Sequence, residues 1–174
     1  FLASANNKPT TAPFPIGYVF SQDDRMRRMN AFMAARPRLG LADLKALQRD
    51  VAVPSSIQLR DLYLAAIART KADAKRDRRA ARVLELLRGW DGQYDAADQA
   101  PVAFELFHHR FQESYYVRRY GDEAAATMFT IAAMPRLLAE DIPTIPDAEL
   151  GPLLADALAE AGRKLRRFKN WGEM

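Results

Sequence analysis

The chain has 174 residues, 49% hydrophobic and 28% charged, with a net charge of +4 from 26 basic and 22 acidic side chains. That is enough chain for one domain with a real core, and the composition is globular rather than disordered. The absence of cysteine excludes disulfides, thiol nucleophiles and cysteine-ligated metals, and no apolar run reaches the eighteen residues a membrane-spanning helix needs.

The chain opens with Phe1-Leu2-Ala3-Ser4-Ala5-Asn6-Asn7-Lys8-Pro9. A start at Phe inside an apolar run reads as a piece of something longer. Phe1–Ser4 and Ile16–Phe20 are the only extended-strand signals. Between them lie Pro9, Pro13 and Pro15 and little periodic pattern, so residues 1–20 are expected as an extended arm and 21–174 as a helical domain. Phe14, Ile16, Tyr18 and Phe20 imply that the arm packs on something, since so long an irregular segment needs a functional reason.

Helices follow. Ser21-Gln22-Asp23-Asp24 has capping-box spacing, and Met26, Met29, Phe32 and Met33 recur at the period of one buried helical face. Arg36-Pro37 ends that helix. Gly40-Leu41-Ala42-Asp43 starts a second, with Leu44, Leu47 and Val51 on one stripe. Pro54-Ser55-Ser56 reads as a break before a third helix carrying Leu59, Leu62, Tyr63, Ala66 and Ile67. A fourth is expected from about Asp73 to Arg88, with Val83, Leu84 and Leu87 inward and Gly89 as a left-handed C-cap. The fifth starts near Asp98 or Pro101 and bears Phe104, Phe107, Phe111 and Tyr115. A sixth spans about Asp122–Glu140 with a kink at Pro135. The Pro143–Pro146 turn then precedes a last helix, about Ala148–Phe168. The fold class is mainly α, about seven helices with an N-terminal arm.

Self-contained catalytic patterns are missing. Gly17, Gly40, Gly89 and Gly92 lie too far apart for a phosphate loop, and no nucleophile elbow is present. His108 and His109 point about 100° apart on a helix, so they cannot share a metal as i,i+4 histidines do; Glu105 and Glu113 are within reach of them, but a helix-surface pair is the reading the residues favour. Basic residues cluster at Lys71–Arg82 and Arg163–Lys169. Asp73 and Asp77 offset part of the first cluster, which reads as a solvated helical face rather than a nucleic-acid site.

Side-chain amides after an apolar run, as at Asn6-Asn7, are neutral donors that can be aimed at an oxyanion. Arg25 stands in the first turn of a helix, where a cation opposes the helix dipole, which favours a specific role. Asp50 and Asp91 read as helix caps or braces and Trp90 as core. Met29, Phe32 and Met33 read as core, with an acyl pocket as the other use of such adaptable side chains.

In order, Ser4-Ala5-Asn6-Asn7-Lys8-Pro9, Arg25-Met26-Arg27-Arg28-Met29, Leu47-Gln48-Arg49-Asp50-Val51 and Leu84-Glu85-Leu86-Leu87-Arg88-Gly89-Trp90-Asp91-Gly92 resemble the penicillin amidase family of N-terminal-nucleophile amide hydrolases. The closing Asn170-Trp171-Gly172-Glu173-Met174 resembles the W-G element after that family's helical region. The resemblance implies the helical part of the larger, nucleophile-bearing subunit, set in a four-layer αββα parent made by autocatalytic processing. It implies hydrolysis of a linear amide through an acyl-enzyme on an N-terminal Ser outside this chain, so the piece alone should be inactive. Asn6 would be the oxyanion-hole donor, and Arg25 would support both the nucleophile's amine and Asn6.

No cofactor is required on this reading. Structural calcium occurs in many members of the family, but Ile16-Gly17-Tyr18-Val19 supplies no carboxylate for it. The implied partners are the remainder of the parent enzyme and a small acylated amide substrate, with neither nucleic acid nor membrane. The implied location is periplasmic or secreted. The alternative is a non-catalytic helical interaction module with Arg76, Arg78, Arg79 and Arg82 as its binding face.

Overall fold

The computed structural model describes residues 22–72, 77–124 and 134–174. Its seven named α-helices are α1 (Asp24–Ala34), α2 (Leu41–Gln48), α3 (Pro54–Thr70), α4 (Arg78–Gly89), α5 (Ala100–Tyr120), α6 (Met134–Asp141) and α7 (Asp147–Leu165), with 3-10 turns at Ile142–Thr144 and Trp171–Glu173. The described part is mainly α, as the periodicity predicts. Among the described residues the β pairing is a single antiparallel bridge, Ala52 to Gln93.

The centre is the antiparallel pair α5 and α7. Gln99 Nε2 donates to the carbonyl of Phe168, Arg110 pairs with Asp156 at 2.7 Å, and Arg118 faces Glu149, so the two helices run past each other along their whole length. The α5 aromatics do what their spacing predicts. Phe104, Phe107, Phe111 and Tyr115 are all buried, and Tyr63 of α3 sets its ring edge against Phe107 at 4.9 Å and Phe111 at 5.0 Å. Each such side chain contributes about 1.5–3 kcal/mol through burial, which is why this pair holds the bundle. α4 lies on α7 where Gly162 meets the backbone of Arg79 and Ala80.

Several boundaries differ from expectation. Pro54 does not break a helix but begins one, because the first helical position needs no N–H. α4 starts at Arg78, with Asp77 as N-cap accepting from Arg79 N at 2.8 Å; residues 73–76 lie outside the described set. Gly89 closes α4 as a helical residue, and the left-handed glycine comes three residues later, Gly92 at φ +84°. Ser21 falls outside the described residues. Asp24 does not cap its own helix, since its carboxylate is taken by Ser55 of α3. Of the expected sixth helix, 122–124 and 134–141 are helical and 125–133 lie outside the described set; Pro135, where a kink is expected, falls at that edge.

The apolar faces of α1 and α2 are the main correction. Met26, Met29, Phe32 and Met33 are only half-buried, and Leu44 and Val51 are 48% and 43% exposed. The period is right, but among the described residues α1 packs chiefly on the start of α3, which covers only part of its stripe.

Candidate functional site

Asn6 lies outside the described residues. Arg25 is exposed in the first turn of α1, and its guanidinium has no ion-pair partner among the described residues. It stands at a groove of about 630 Å³ walled by Met29, Leu44, Leu47, Val51 and Val53, with Asp24 and Gln48 on its rim.

The residues around Arg25 are tied down although Arg25 is not. On one side, Ser55 donates to Asp24 twice, from its backbone N–H at 2.7 Å and its hydroxyl at 2.5 Å. On the other, Arg28 grips Asp50 through two Nε contacts at 3.0 and 3.2 Å and a close Nη2 contact. Asp50 also accepts from Ala52 N at 2.9 Å. Burial alone would raise the Asp50 carboxyl; the hydrogen bonds from Arg28 and Ala52 outweigh it and hold the carboxyl below its ordinary range. Its side chain is only 10% exposed, against 36% for Arg28, so this bidentate pair keeps more of its strength than a surface pair does. Asp50 is thus the brace its position suggests. Its partner Arg28 carries no signal of its own in the sequence, although it stands one turn after Arg25 in the same short motif.

The Trp90-Asp91-Gly92 unit forms the support behind this corner. Trp90 is 2% exposed, packs on Phe104 at 4.7 Å and donates from Nε1 to the carbonyl of Gln93. Asp91 accepts from Gln93 N, folding the turn back. Gly92 supplies the positive φ, and a Cβ there would sit 2.2 Å from Ile57 Cγ1. The turn then pairs with the stretch after Asp50: Val53 N donates to Gly92 O and Tyr94 N to Val51 O, each at 3.2 Å. The closing Trp171-Gly172 docks on the next residues, donating to the carbonyls of Asp98 and Ala96. Three of the short motifs that stand apart in sequence therefore form one supported corner.

Other candidates resolve differently. His108 is not a surface residue. It stacks on Phe104 at 5.5 Å and shares a 2.9 Å hydrogen bond with the Tyr63 hydroxyl through Nδ1, and burial pushes its pKa down to about 4. Only His109 is exposed. Glu105 accepts from the Tyr94 hydroxyl at 2.5 Å. No group of three or more metal-binding side chains is found among the described residues; Ile16-Gly17-Tyr18-Val19, on which the calcium expectation turns, lies outside them. Arg78, Arg79 and Arg82 are exposed on α4, with Arg82 paired to Glu85; Arg76 is outside the described set.

The sequence profile of the penicillin amidase family matches residues 1–174, the whole chain. No curated protein matches it. With the Arg25, Asp50 and Trp90-Asp91-Gly92 elements assembled at one corner and the family match running end to end, the chain belongs to the penicillin amidase family of hydrolases.

Proposed function

We propose that this is the helical segment of the nucleophile-bearing subunit of a linear-amide hydrolase, inactive by itself and completed by an αββα core. In the proposed reaction an N-terminal Ser outside this chain attacks the amide carbonyl. Its own α-amine, with an ordinary pKa of about 7.7–8.0, takes the hydroxyl proton and then returns it to the leaving amine; water hydrolyses the acyl-enzyme. Asn6 donates its carboxamide N–H to the tetrahedral oxyanion. Arg25 sits near the amine, where a fixed cation disfavours its protonated form and keeps it a base. The parent would be exported, to the periplasm or beyond.

The observation that supports this reading is the anchoring around Arg25. Asp24 and Arg28 are fixed on either side of it while the Arg25 guanidinium is left unpaired among the described residues. An arginine meant only for solvent needs no such mounting. In the full-length protein, Asn6→Ala should lower kcat by about a hundredfold or more on an amide substrate, because one oxyanion donor is worth about 2.7–4 kcal/mol. Unchanged turnover would refute the assignment.

A further inference from the structure

Among the described residues α1 has none that is fully buried, so side-chain ties add what its half-buried apolar face leaves open in fixing its position. Both ties land on one stretch, residues 50–56: Arg28 on Asp50 and Asp24 on Ser55. That stretch hangs in turn on Tyr94. The Tyr94 backbone N–H donates to Val51 O, and its hydroxyl lies 3.0 Å from Ser56 Oγ. The same hydroxyl donates to Glu105 of α5 at 2.5 Å, on the helix that carries the core aromatics. The neighbours Ser55 and Ser56 therefore serve two ties from one helical turn, one holding α1 and the other holding Tyr94.

We propose that Tyr94, through Ser56 and Glu105, is a positioning residue for Arg25, locking the 50–56 stretch to α5 and so fixing the turn of α1 that presents Arg25. The proposal rests on the catalytic reading of Arg25 above. Apolar packing would keep this stretch near the core without fixing where it points. A hydroxyl held from two sides, on a ring set edge-on to Trp90 at 5.2 Å and to Trp171 at 5.1 Å, allows one placement. Hydrogen bonds restrict direction as apolar contact does not. Burial, and then the neighbouring Glu105, raise the Tyr94 pKa well above its ordinary value. The hydroxyl accordingly stays protonated throughout the range in which an α-amine titrates.

The test uses the full-length protein with Tyr94→Phe, Arg25→Ala and the double variant. Turnover is read on a panel of p-nitroanilides with aromatic and aliphatic acyl groups, and hydrogen exchange is read by mass spectrometry. Tyr94→Phe keeps the ring contacts and removes only the hydroxyl. Exchange should quicken across residues 24–34 while α5 and α7 keep their protection. kcat should fall about tenfold with KM nearly unchanged, the mark of lost alignment. The acid limb of the pH profile should move in the same direction as in Arg25→Ala, and the double variant should be no worse than Arg25→Ala alone.

Unchanged exchange in α1 would overturn the lock whatever Arg25 does. Quickened exchange with effects that multiply in the double variant would overturn it too, and would leave the reading of Arg25 standing. If Arg25→Ala itself alters neither kcat nor the pH profile, the catalytic reading falls and this proposal falls with it. Should Tyr94→Phe fail to fold, Ser56→Ala cuts the same chain of bonds one link away and is held to the same outcomes.

Discussion

Two glycines in α7 give a sharp test of the packing at the centre of this fold, because the same substitution should be far costlier at one of two positions three turns apart. Gly151 and Gly162 both lie inside the helix; Ala at Gly162 gains about 0.5–1 kcal/mol of backbone preference, while at Gly151 the following Pro152 crowds a new Cβ and offsets that gain. Their surroundings differ. A Cβ at Gly151 would meet Thr70 Cβ at 3.4 Å, close to ordinary contact. A Cβ at Gly162 would lie 2.8 Å from Arg79 C and 2.9 Å from Ala80 N. Those distances fall well inside the roughly 3.5–4.0 Å optimum for carbon contacts. The obstructing atoms are backbone and cannot rotate away, so α4 must shift off α7.

Overpacking of this kind costs about 1–3 kcal/mol, which outweighs the helix preference. Gly151→Ala should therefore be close to neutral, and Gly162→Ala should destabilise by about 1–2 kcal/mol. The assay is native-state hydrogen exchange of the full-length protein, read as opening free energies at amides of α4 and α7. If Gly162→Ala opens no more readily than Gly151→Ala, the close approach of α4 to α7 is wrong.

Two further expectations follow from single contacts. His108 titrates near 4 when folded and near 6.5 when unfolded, so between these values the unfolded chain holds more protons and stability falls as the pH drops. The full shift corresponds to about 3 kcal/mol, trimmed because the residue is only half-buried; His108→Phe should flatten the slope of α5 opening free energy between pH 6.5 and 4, and coincident slopes would show that the ring is not held neutral. Gly92→Ala meets two penalties, about 1–2 kcal/mol for a left-handed non-glycine backbone and a clash with Ile57 at 2.2 Å. In an Ile57→Ala background only the first remains, so urea unfolding should show a smaller penalty there, and equal penalties in both backgrounds would contradict the close approach of Ile57 to this turn.

Helices with a wide apolar face are legible from residue spacing alone. Phe104, Phe107, Phe111 and Tyr115 predict a buried α5 because local spacing and burial agree there, and Leu59, Tyr63, Ala66 and Ile67 do the same for α3. The same logic misreads α1 and α2. Periodicity states which face is apolar and cannot state whether a surface is present to cover it. Turn chemistry is legible by residue type but not by position: residue type points to a positive φ at Gly89, and the chain places it at Gly92, where Ile57 leaves no room for a side chain. Of the candidate site, the sequence singles out Arg25, Asp50 and Trp90 because each stands in a short pattern. It takes the folded chain to close Arg28 on Asp50, to bring Asp24 to Ser55, and to join Ser56 to Glu105 through Tyr94. Those partners are 11 to 38 residues apart, and no local rule couples residues at such separations. They meet because α3 and α5 pack on one core and carry their polar ends to the same corner.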